Sequence, residues 1–340
     1  ARHSAETGNG NASMNRSLGI SMILIFCFSQ AFRDVYLGHV FQRVDFFAVI
    51  LLAFIPSTLF FGAIAWWRYR DEIRALPGHW PTLAAMNVAT ALAWTSYFFG
   101  LSHLEPVIVN TLHSGIAPLT VIVLSAAGFS FAGKHATGKL EAVCLAGMMA
   151  ALAGLWWLVL NGSSGIGGQS ASDSLMALCL LLVSGASITI SHLFAKTLST
   201  AGLGAVTITA SRYFLIVLMA IAFLLARDVP SGIQGAGHGI WLGIAAALLI
   251  ALPLYALQIG IAHTPQLMAH ILRALGPVFV FALQQFDGRL AWSMPVLTLV
   301  LLYSIFIGGA NIAHGRSHGR SHGSSHGSSH GQAVRKSPRP

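Results

Sequence analysis

Long apolar runs separated by short polar breaks dominate the chain between residues 18 and 313. A transmembrane helix needs about 20 mostly apolar residues, with a range of roughly 17–25. The breaks carry turn-forming residues, as in Pro77-Gly78 and Asp287-Gly288. The pattern therefore predicts an all-α, polytopic membrane protein with ten transmembrane helices, at residues 18–37, 45–67, 81–101, 106–128, 139–160, 173–195, 203–226, 239–261, 266–286 and 292–313.

The composition points to the same class. Of the 340 residues, 55% are hydrophobic and 9% are charged, whereas soluble domains average about 25% charged residues. Such a chain has too few polar groups to cover a surface in water, so the lipid bilayer is its expected partner. The three cysteines, Cys27, Cys144 and Cys179, all lie inside apolar runs, which is not the arrangement of a disulfide framework.

The basic residues are divided unevenly between the two sides of the predicted membrane. With the N-terminus inside, 13 of the 19 Lys and Arg residues fall on the inner side and 3 on the outer side, while Arg33, Arg212 and Arg273 fall within spans. This bias follows the positive-inside rule. It predicts a multi-pass protein of the cell (inner or plasma) membrane with both termini in the cytoplasm. The net charge of +9 therefore indicates orientation rather than a nucleic-acid partner.

The two halves of the chain are similar to each other. Residues 91–103, ALAWTSYFFGLSH, match residues 251–263, ALPLYALQIGIAH, and GIAPLTVIVL at 115–124 matches ALGPVFVFAL at 274–283. Each half holds five spans, so the second half is inserted upside-down, as in the inverted repeats of secondary transporters. The predicted organisation is a disordered leader at 1–17, a first repeat at 18–160, an external linker at 161–172, a second repeat at 173–313 and a disordered His-rich tail at 314–340.

These matching segments resemble the drug/metabolite transporter superfamily, in its ten-span EamA-like branch. In that family each half has a fourth span with a central proline, matched here by Pro118 and Pro277, and usually a following loop with Gly-Glu-Arg. The FDGRL segment at 286–290 is similar to that loop, whereas FAGK at 131–134 departs from it. Arg212 matches an arginine that the family places early in the second span of a half. The resemblance covers residues 18–313. It implies secondary transport without ATP hydrolysis, most often export of amino acids, metabolites or drugs, and some members export metal-chelating metabolites.

Polar side chains inside the fourth and ninth spans are the main candidates for a substrate site. Ionisable side chains in a span cost roughly 2.5–3.5 kcal/mol each on insertion scales, so they usually face a cavity. Asn110 and His113 are three residues apart, as are His270 and Arg273, and each pair therefore shares a helix face. Counted back from the prolines, Ser114 and Arg273 are equivalent positions. The interpretation is a shared cavity with Pro118 and Pro277 as hinges; the alternative is a structural hydrogen-bond network.

Among these candidates, Arg273 gives the most specific prediction of a binding role. Asp34 and Glu105 are the only acidic residues that the sequence places near enough to the membrane interior to pair with it. We therefore expect Arg273 to help hold an anionic group of the substrate. Asp34 is also a candidate proton-coupling carboxylate. The adjacent Arg33 is about 100° away on a helix and is expected to snorkel outward rather than neutralise Asp34.

Other intramembrane side chains have both a binding and a structural interpretation. Arg212 could bind a carboxylate bidentately, or it could pair with a backbone carbonyl or an acidic residue to hold helices together. Aromatic and amide side chains on the third and eighth spans could stack on or bind a substrate, or simply pack; these are Trp94, Tyr97, Tyr255 and Gln258.

Small residues recur every fourth position on the fifth and eighth spans. They are Ala142, Ala146, Ala150 and Gly154 on the fifth, and Gly243, Ala247 and Ala251 on the eighth. Such stripes permit close helix packing. Packing within one chain is the simpler interpretation, and a homodimer through one of the stripes is the alternative.

The C-terminal tail has its own pattern, HGRSHGRSHGSSHGSSHG at 314–331. Its Gly and Ser content predicts disorder, and its regular imidazoles predict binding of Zn²⁺ or Ni²⁺. The candidate ligands are His314, His318, His322, His326 and His330. The alternative is a low-complexity tail without a metal, and no other cofactor is expected.

Taken together, these patterns predict a secondary transporter, not an enzyme, that exports a small amphipathic or anionic metabolite by alternating access. The substrate classes that fit are amino-acid-like, drug-like and metallophore-like molecules. The first alternative is a membrane enzyme with several spans, such as an acyl or prenyl transferase. Its candidate catalytic residues would be His113, His192 and His270. The sequence, however, has no HxxxD-like or DDxxD-like cluster. A metal-responsive membrane sensor is the second.

Overall fold

The computed structural model describes residues 3–40, 45–132, 138–163, 170–226, 266–288 and 290–325, with a few positions between 248 and 264, and no β-strand occurs in this part. Short 3-10 turns lie at Leu76–His79 and Ser130–Ala132. The α-helices are α1 (His3–Val40), α2 (Phe46–Arg68), α3 (Arg70–Ala75), α4 (Trp80–His103), α5 (Pro106–Gly115), α6 (Ala117–Ala126), α7 (Lys139–Leu160), α8 (Ala171–Thr200), α9 (Ala205–Ser211), α10 (Phe214–Ala226), α11 (Gln266–Arg273), α12 (Gly276–Gln284) and α13 (Met294–Ser325).

Local sequence determines where several helices begin and end. Asp45 and Ser170 cap the N-termini of α2 and α8, where their side-chain oxygens accept backbone N–H bonds of 2.8 Å and 3.1 Å. Three helices, α6, α7 and α8, are each followed by a glycine with positive φ, a conformation that closes the last helical turn without a steric penalty. These glycines are Gly128 (81°), Gly162 (66°) and Gly202 (97°).

The helices have the length and surface of membrane-spanning segments. Seven described segments are long and apolar enough to cross a membrane. We name the two ends of the bundle from α4: the basic end is where α4 begins at Trp80, and the opposite end is where it finishes at His103. Exposed tryptophans lie at both ends, as in the aromatic belts at membrane interfaces: Trp66, Trp67 and Trp80 at the basic end, and Trp157 and Trp292 at the opposite end. The chain is therefore an all-α, multi-pass membrane protein.

Close contacts hold α4, α5 and α8 together in the middle of the bundle. The hydroxyls of Thr90 and Ser191 are 2.7 Å apart, and Ser184 donates to the carbonyl of Ala93 at 2.7 Å, so two polar contacts join α4 and α8. A Cβ at Gly100 would lie 2.6 Å from a methyl group of Leu181. Hydroxyls and small residues at a helix interface let backbones approach closely where there is no water to drive association.

Three described spans are interrupted, and two of them have a proline just after the break; the third, α9–α10, is broken at Arg212 and Tyr213. The break between α5 and α6 follows Gly115, and the break between α11 and α12 follows Arg273. Pro118 is the second residue of α6, and Pro277 is the second residue of α12. A proline cannot donate a backbone hydrogen bond to the preceding turn, so a new helix starts at each one.

The small residues of the fifth span divide between two environments. Gly154 packs within the chain, because a Cβ there would lie 2.8 Å from a methyl group of Leu299 on α13. Ala142, Ala146 and Ala150 lie on the exposed surface of α7. The stripe on the eighth span lies outside the described residues.

The first and last helices are longer than the spans predicted from the sequence. Helix α1 begins at His3 and α13 continues to Ser325. The disorder of the leader and of the tail stays a prediction. Most of the predicted eighth span, 239–261, lies outside the described residues.

Candidate functional site

A cavity of about 570 Å³ lies between α1, the interrupted pairs α5–α6 and α11–α12, and helices α7, α8 and α13. This volume is typical of a small-molecule site. Its apolar wall includes Phe26, Cys27, Pro118, Leu145 and Pro277. Its polar wall consists of Gln30, Asn110, Ser114, Glu141, Thr189, His192, Lys196, Arg273, Tyr303, Asn311 and His314.

Arg273 is the central cation of this wall. Its side chain is exposed to the cavity, and its guanidinium carbon lies 5.8 Å from the centre of the Phe26 ring. Within the described part of the chain, no carboxylate or carbonyl accepts a hydrogen bond from it. Asp34 and Glu105, the two partners that the sequence suggested, are both engaged elsewhere. The guanidinium is therefore accessible from the cavity and has no acidic partner among the described residues.

Ser114 and Asn110 lie on the same wall as Arg273. The Ser114 hydroxyl is 3.1 Å from the Tyr303 hydroxyl and donates to the carbonyl of Asn110 at 2.7 Å. The predicted meeting of the fourth and ninth spans at one cavity is therefore present for these three side chains. Pro118 and Pro277, the predicted hinges, also line it.

A buried ion pair lies beside the cavity and is bonded to Asn110 of its wall. Arg33 donates to Oδ1 of Asp34 through Nε at 2.9 Å and Nη2 at 2.7 Å, and Asn110 donates to Oδ2 at 2.8 Å. Both charged side chains are buried. The expectation that Arg33 snorkels outward and does not neutralise Asp34 is wrong. The long arginine side chain folds back over the 100° between the two positions, because burial in lipid leaves the carboxylate as its best partner.

A second buried contact joins the two halves beyond this ion pair. Gln284, near the end of α12, donates to Glu105 at 3.1 Å and accepts from the backbone N–H of Val107 at 3.2 Å. Both side chains are 1% exposed. Because Glu105 and Gln284 belong to different halves, any movement between the halves at this end must break the contact.

The basic end of the cavity is more polar. His192 and Lys196 of α8 are exposed on its wall. Nδ1 of His314 lies 3.2 Å from Oε1 of Glu141, which joins the basic ends of α7 and α13. Glu141 itself is buried and also accepts from the backbone N–H of Gly138 at 3.4 Å.

The predicted aromatic contacts occur away from the cavity. Arg33 lies over the Trp94 and Tyr97 rings, at 5.2 Å and 5.8 Å from their centres. The ring of Tyr97 packs edge-on against His113 at 4.6 Å, and Nδ1 of His113 lies 2.9 Å from the Ser184 hydroxyl. These three predicted site residues, Trp94, Tyr97 and His113, therefore surround the ion pair and join α4, α5 and α8.

Arg212 also lies outside the cavity wall. Its Nη2 donates to the Ser191 hydroxyl at 2.8 Å, and its guanidinium lies 5.9 Å from the Tyr213 ring. Ser191 is in turn bonded to Thr90. Arg212 therefore contacts a hydroxyl, not the backbone carbonyl or acidic residue that the structural interpretation named, and through Ser191 it connects α9 to α8 and α4.

Several predicted residues lie outside what the structure describes. The side chain of His270, both Tyr255 and Gln258, and the side chains of the tail beyond His314 belong to this group. Among the described residues, no group of three His, Cys, Asp or Glu side chains could hold a metal ion.

Five polar residues line the cavity that were not predicted from the sequence: Gln30, Glu141, Lys196, Tyr303 and Asn311. Glu141 and Lys196 lie near span ends, where charged residues are ordinary. Gln30, Tyr303 and Asn311 were detectable as polar residues within spans. The first and tenth spans, however, have no marker comparable with the prolines.

No protein-family model and no curated protein matches this sequence. A solved structure described only as "Crystal structure of protein" is similar to it over 89% of this chain and 98% of that chain, with a TM-score of 0.56 and 18% identity. At that identity the likeness shows a shared fold alone.

Proposed function

We propose that this protein is a secondary transporter that exports a small amphipathic or anionic metabolite by alternating access. One observation carries the proposal: Arg273 has no acidic partner among the described residues and lies on the wall of a polar cavity inside the bundle. Such a guanidinium is stabilised by an anionic group that enters the cavity and leaves again. Amino-acid-like, drug-like and metallophore-like anions are the candidate classes.

The proposed architecture is two inverted five-helix repeats with ten spans. The matching interruptions at Pro118 and Pro277 support it, because each proline is the second residue of a new helix on the cavity wall. In transporters built from inverted repeats, interrupted helices line the substrate site and one repeat rocks against the other. The two prolines are then the points about which the walls of the cavity move.

The basic end is assigned to the cytoplasm, following the distribution of Lys and Arg. With this orientation, the opposite end, with its Arg33–Asp34 and Glu105–Gln284 contacts, faces outward. The exposed His192 and Lys196 face the cytoplasmic side. This is the state in which an exporter takes up its substrate from the cytoplasm.

Asp34 is the proposed coupling carboxylate. Its charge holds Arg33 on its own helix and Asn110 on α5, while Tyr97 and His113 pack around the pair from α4 and α5. Protonation of Asp34 would remove that charge and release both partners. A proton that enters from the outer side, down an inward proton gradient, would in this way open the outer end.

Counterflow in proteoliposomes tests the proposal. The purified protein is first screened for thermal stabilisation by amino acids and small carboxylates, and the radiolabelled form of a stabilising compound is then exchanged across the membrane. We expect accumulation of unchanged label that Arg273→Ala strongly reduces. Chemical conversion of the label, or no exchange of any stabilising compound, would contradict transport.

A further inference from the structure

The cavity carries a second basic group that the proposed function does not use. Lys196 lies four residues after His192 on α8, and residues four apart share a helix face. Both side chains are exposed and both line the cavity. Among the described residues, neither forms an ion pair or a side-chain hydrogen bond. An unpaired lysine on a cavity wall is an available contact for an anion.

These groups form a continuous basic track with Arg273. All three side chains line the same cavity, and Lys196 lies one helical turn, about 6 Å, closer to the basic end than His192. The track therefore runs from the break after α11 to the cytoplasmic side proposed above. We call Arg273, His192 and Lys196 the basic track.

The acidic residue of the cavity does not offset this track. Glu141 is 5% exposed, and its carboxylate is occupied by His314 at 3.2 Å and by the backbone N–H of Gly138. A substrate ammonium group would have to displace His314 to reach it. An anionic group can reach Lys196 without displacing a partner, so charge in the accessible part of the cavity favours a second anion over a cation.

We infer that the substrate is an elongated dianion, with one anionic group at Arg273 and a second at Lys196. This inference rests on the proposed anion contact of Arg273 and adds the second subsite. His192 lines the same cavity one helical turn from Lys196, so its imidazole is a further hydrogen-bond donor for the spacer or for an anion. The spacer lies against the apolar wall, which includes Leu145 and Pro277.

Matched dicarboxylates and monocarboxylates test the second subsite. The probes are succinate, adipate and suberate against butyrate, hexanoate and octanoate, in chloride-free buffer, with the full-length protein in detergent. Calorimetric titration and thermal stabilisation are the measurements. We expect at least one dicarboxylate to bind more tightly than the monocarboxylate of equal length. Lys196→Ala should weaken that dicarboxylate about tenfold, the loss of one contact to a charged group, and should leave the monocarboxylate unchanged.

Three variants make the outcomes separable. Lys196→Arg should keep the dicarboxylate advantage, because it keeps the charge. Arg74→Ala, a change at an exposed ion pair on α3, should alter neither affinity. Arg273→Gln should weaken both classes of probe. Equal binding of the two classes, or a dicarboxylate advantage that survives Lys196→Ala, would overturn the second subsite alone. No binding of any carboxylate would overturn the anion contact of Arg273 and with it the proposed function.

Discussion

At the residue scale, the two transmembrane arginines with the clearest surroundings have opposite situations. Arg33 is buried and bonded twice to its neighbour Asp34, whereas Arg273 is exposed to a cavity with a ring of Phe26 beside it. A paired, buried cation contributes to the position of helices. A cation on a cavity wall without an acidic partner among the described residues is available to a ligand, and this difference supports the proposed binding role of Arg273.

Replacement of Arg273 should separate binding from folding. Arg273→Ala should lower transport between about tenfold and about a hundredfold, as expected for the loss of a contact to a charged group. Arg273→Lys should lower it nearly as much, because an ammonium lacks the planar fork of the guanidinium. Expression should fall less than transport, measured as counterflow per folded protein. Normal transport with lowered stability would instead assign Arg273 a structural role.

The buried pair makes a different prediction. Asp34→Ala leaves Arg33 charged and buried, which should destabilise the protein by about 3–5 kcal/mol. The double variant Arg33→Met/Asp34→Leu removes both charges and should recover most of that loss, because well-packed apolar residues often replace a buried ion pair without cost. Thermal unfolding in detergent compares the three proteins. A double variant less stable than Asp34→Ala would show that the pair is not an isolated electrostatic unit.

At the scale of elements, α5–α6 and α11–α12 differ from the other interrupted span, α9–α10, because each has a proline after the break and lines the cavity. One break follows Gly115, the neighbour of Ser114, and the other follows Arg273. Each new helix has a proline as its second residue. A continuous helix would carry the same side chains past the cavity at fixed spacing. The breaks allow the two parts of each pair to tilt separately.

Replacing either hinge proline should affect movement more than stability. Pro118→Ala and Pro277→Ala restore a backbone donor and permit a continuous helix, so we expect slower counterflow with a small change in thermal stability. Pro56→Ala is the matched control, since Pro56 lies inside α2, exposed and away from the cavity wall. If Pro56→Ala slowed counterflow as much as the hinge variants, the effect would belong to helix continuity in general.

The His314–Glu141 contact indicates that the part of the tail not needed for folding begins after His314. His314 bonds to Glu141 at the basic end, whereas residues 315–331 contain no apolar side chain to pack. Deleting 315–331 should therefore leave insertion and metal-free thermal stability unchanged, measured in detergent against the full chain. A collapse of the fold on this deletion would show that the tail packs. Loss of transport with the fold intact would favour the metal-binding role of the tail.

At the scale of the whole molecule, the distribution of charge is consistent with the proposed orientation. The proposed cytoplasmic side carries most of the Lys and Arg residues and the exposed His192 and Lys196, whereas buried polar contacts lie toward the opposite end. The proposed exporter would load on the cytoplasmic side and open the opposite end during its cycle. The Glu105–Gln284 contact would then be expected to break.

Topology is testable without knowledge of the substrate. With ten spans and both termini in the cytoplasm, a reporter fused after residue 165 should be external, and one fused after residue 340 should be internal. Paired reporters active on opposite sides of the membrane give a positive signal for each location. An external C-terminus would contradict the ten-span arrangement.

The sequence by itself determined the membrane class and the approximate ends of most helices. The reason is that hydropathy, capping residues and terminal glycines act locally, within a few positions of where they stand. It also identified Asn110, Ser114, Arg273 and the two prolines on the cavity wall, because the similarity of the halves marks equivalent positions. These inferences needed only helical spacing and the cost of placing polar groups in lipid.

The tertiary structure alone decided which polar side chains face the cavity and which face one another. His113 and Ser114 are adjacent, yet one packs against α4 and α8 while the other faces the cavity. Lys196 and Glu141 join the wall because α8 and α7 happen to border it. The helical period shows which side chains share a face of a helix, but it does not show which other helix packs against that face. In the same way, the bond from Arg33 to Asp34 depends on the side chains that surround both residues. The partners of a side chain are set by the packing of the whole bundle.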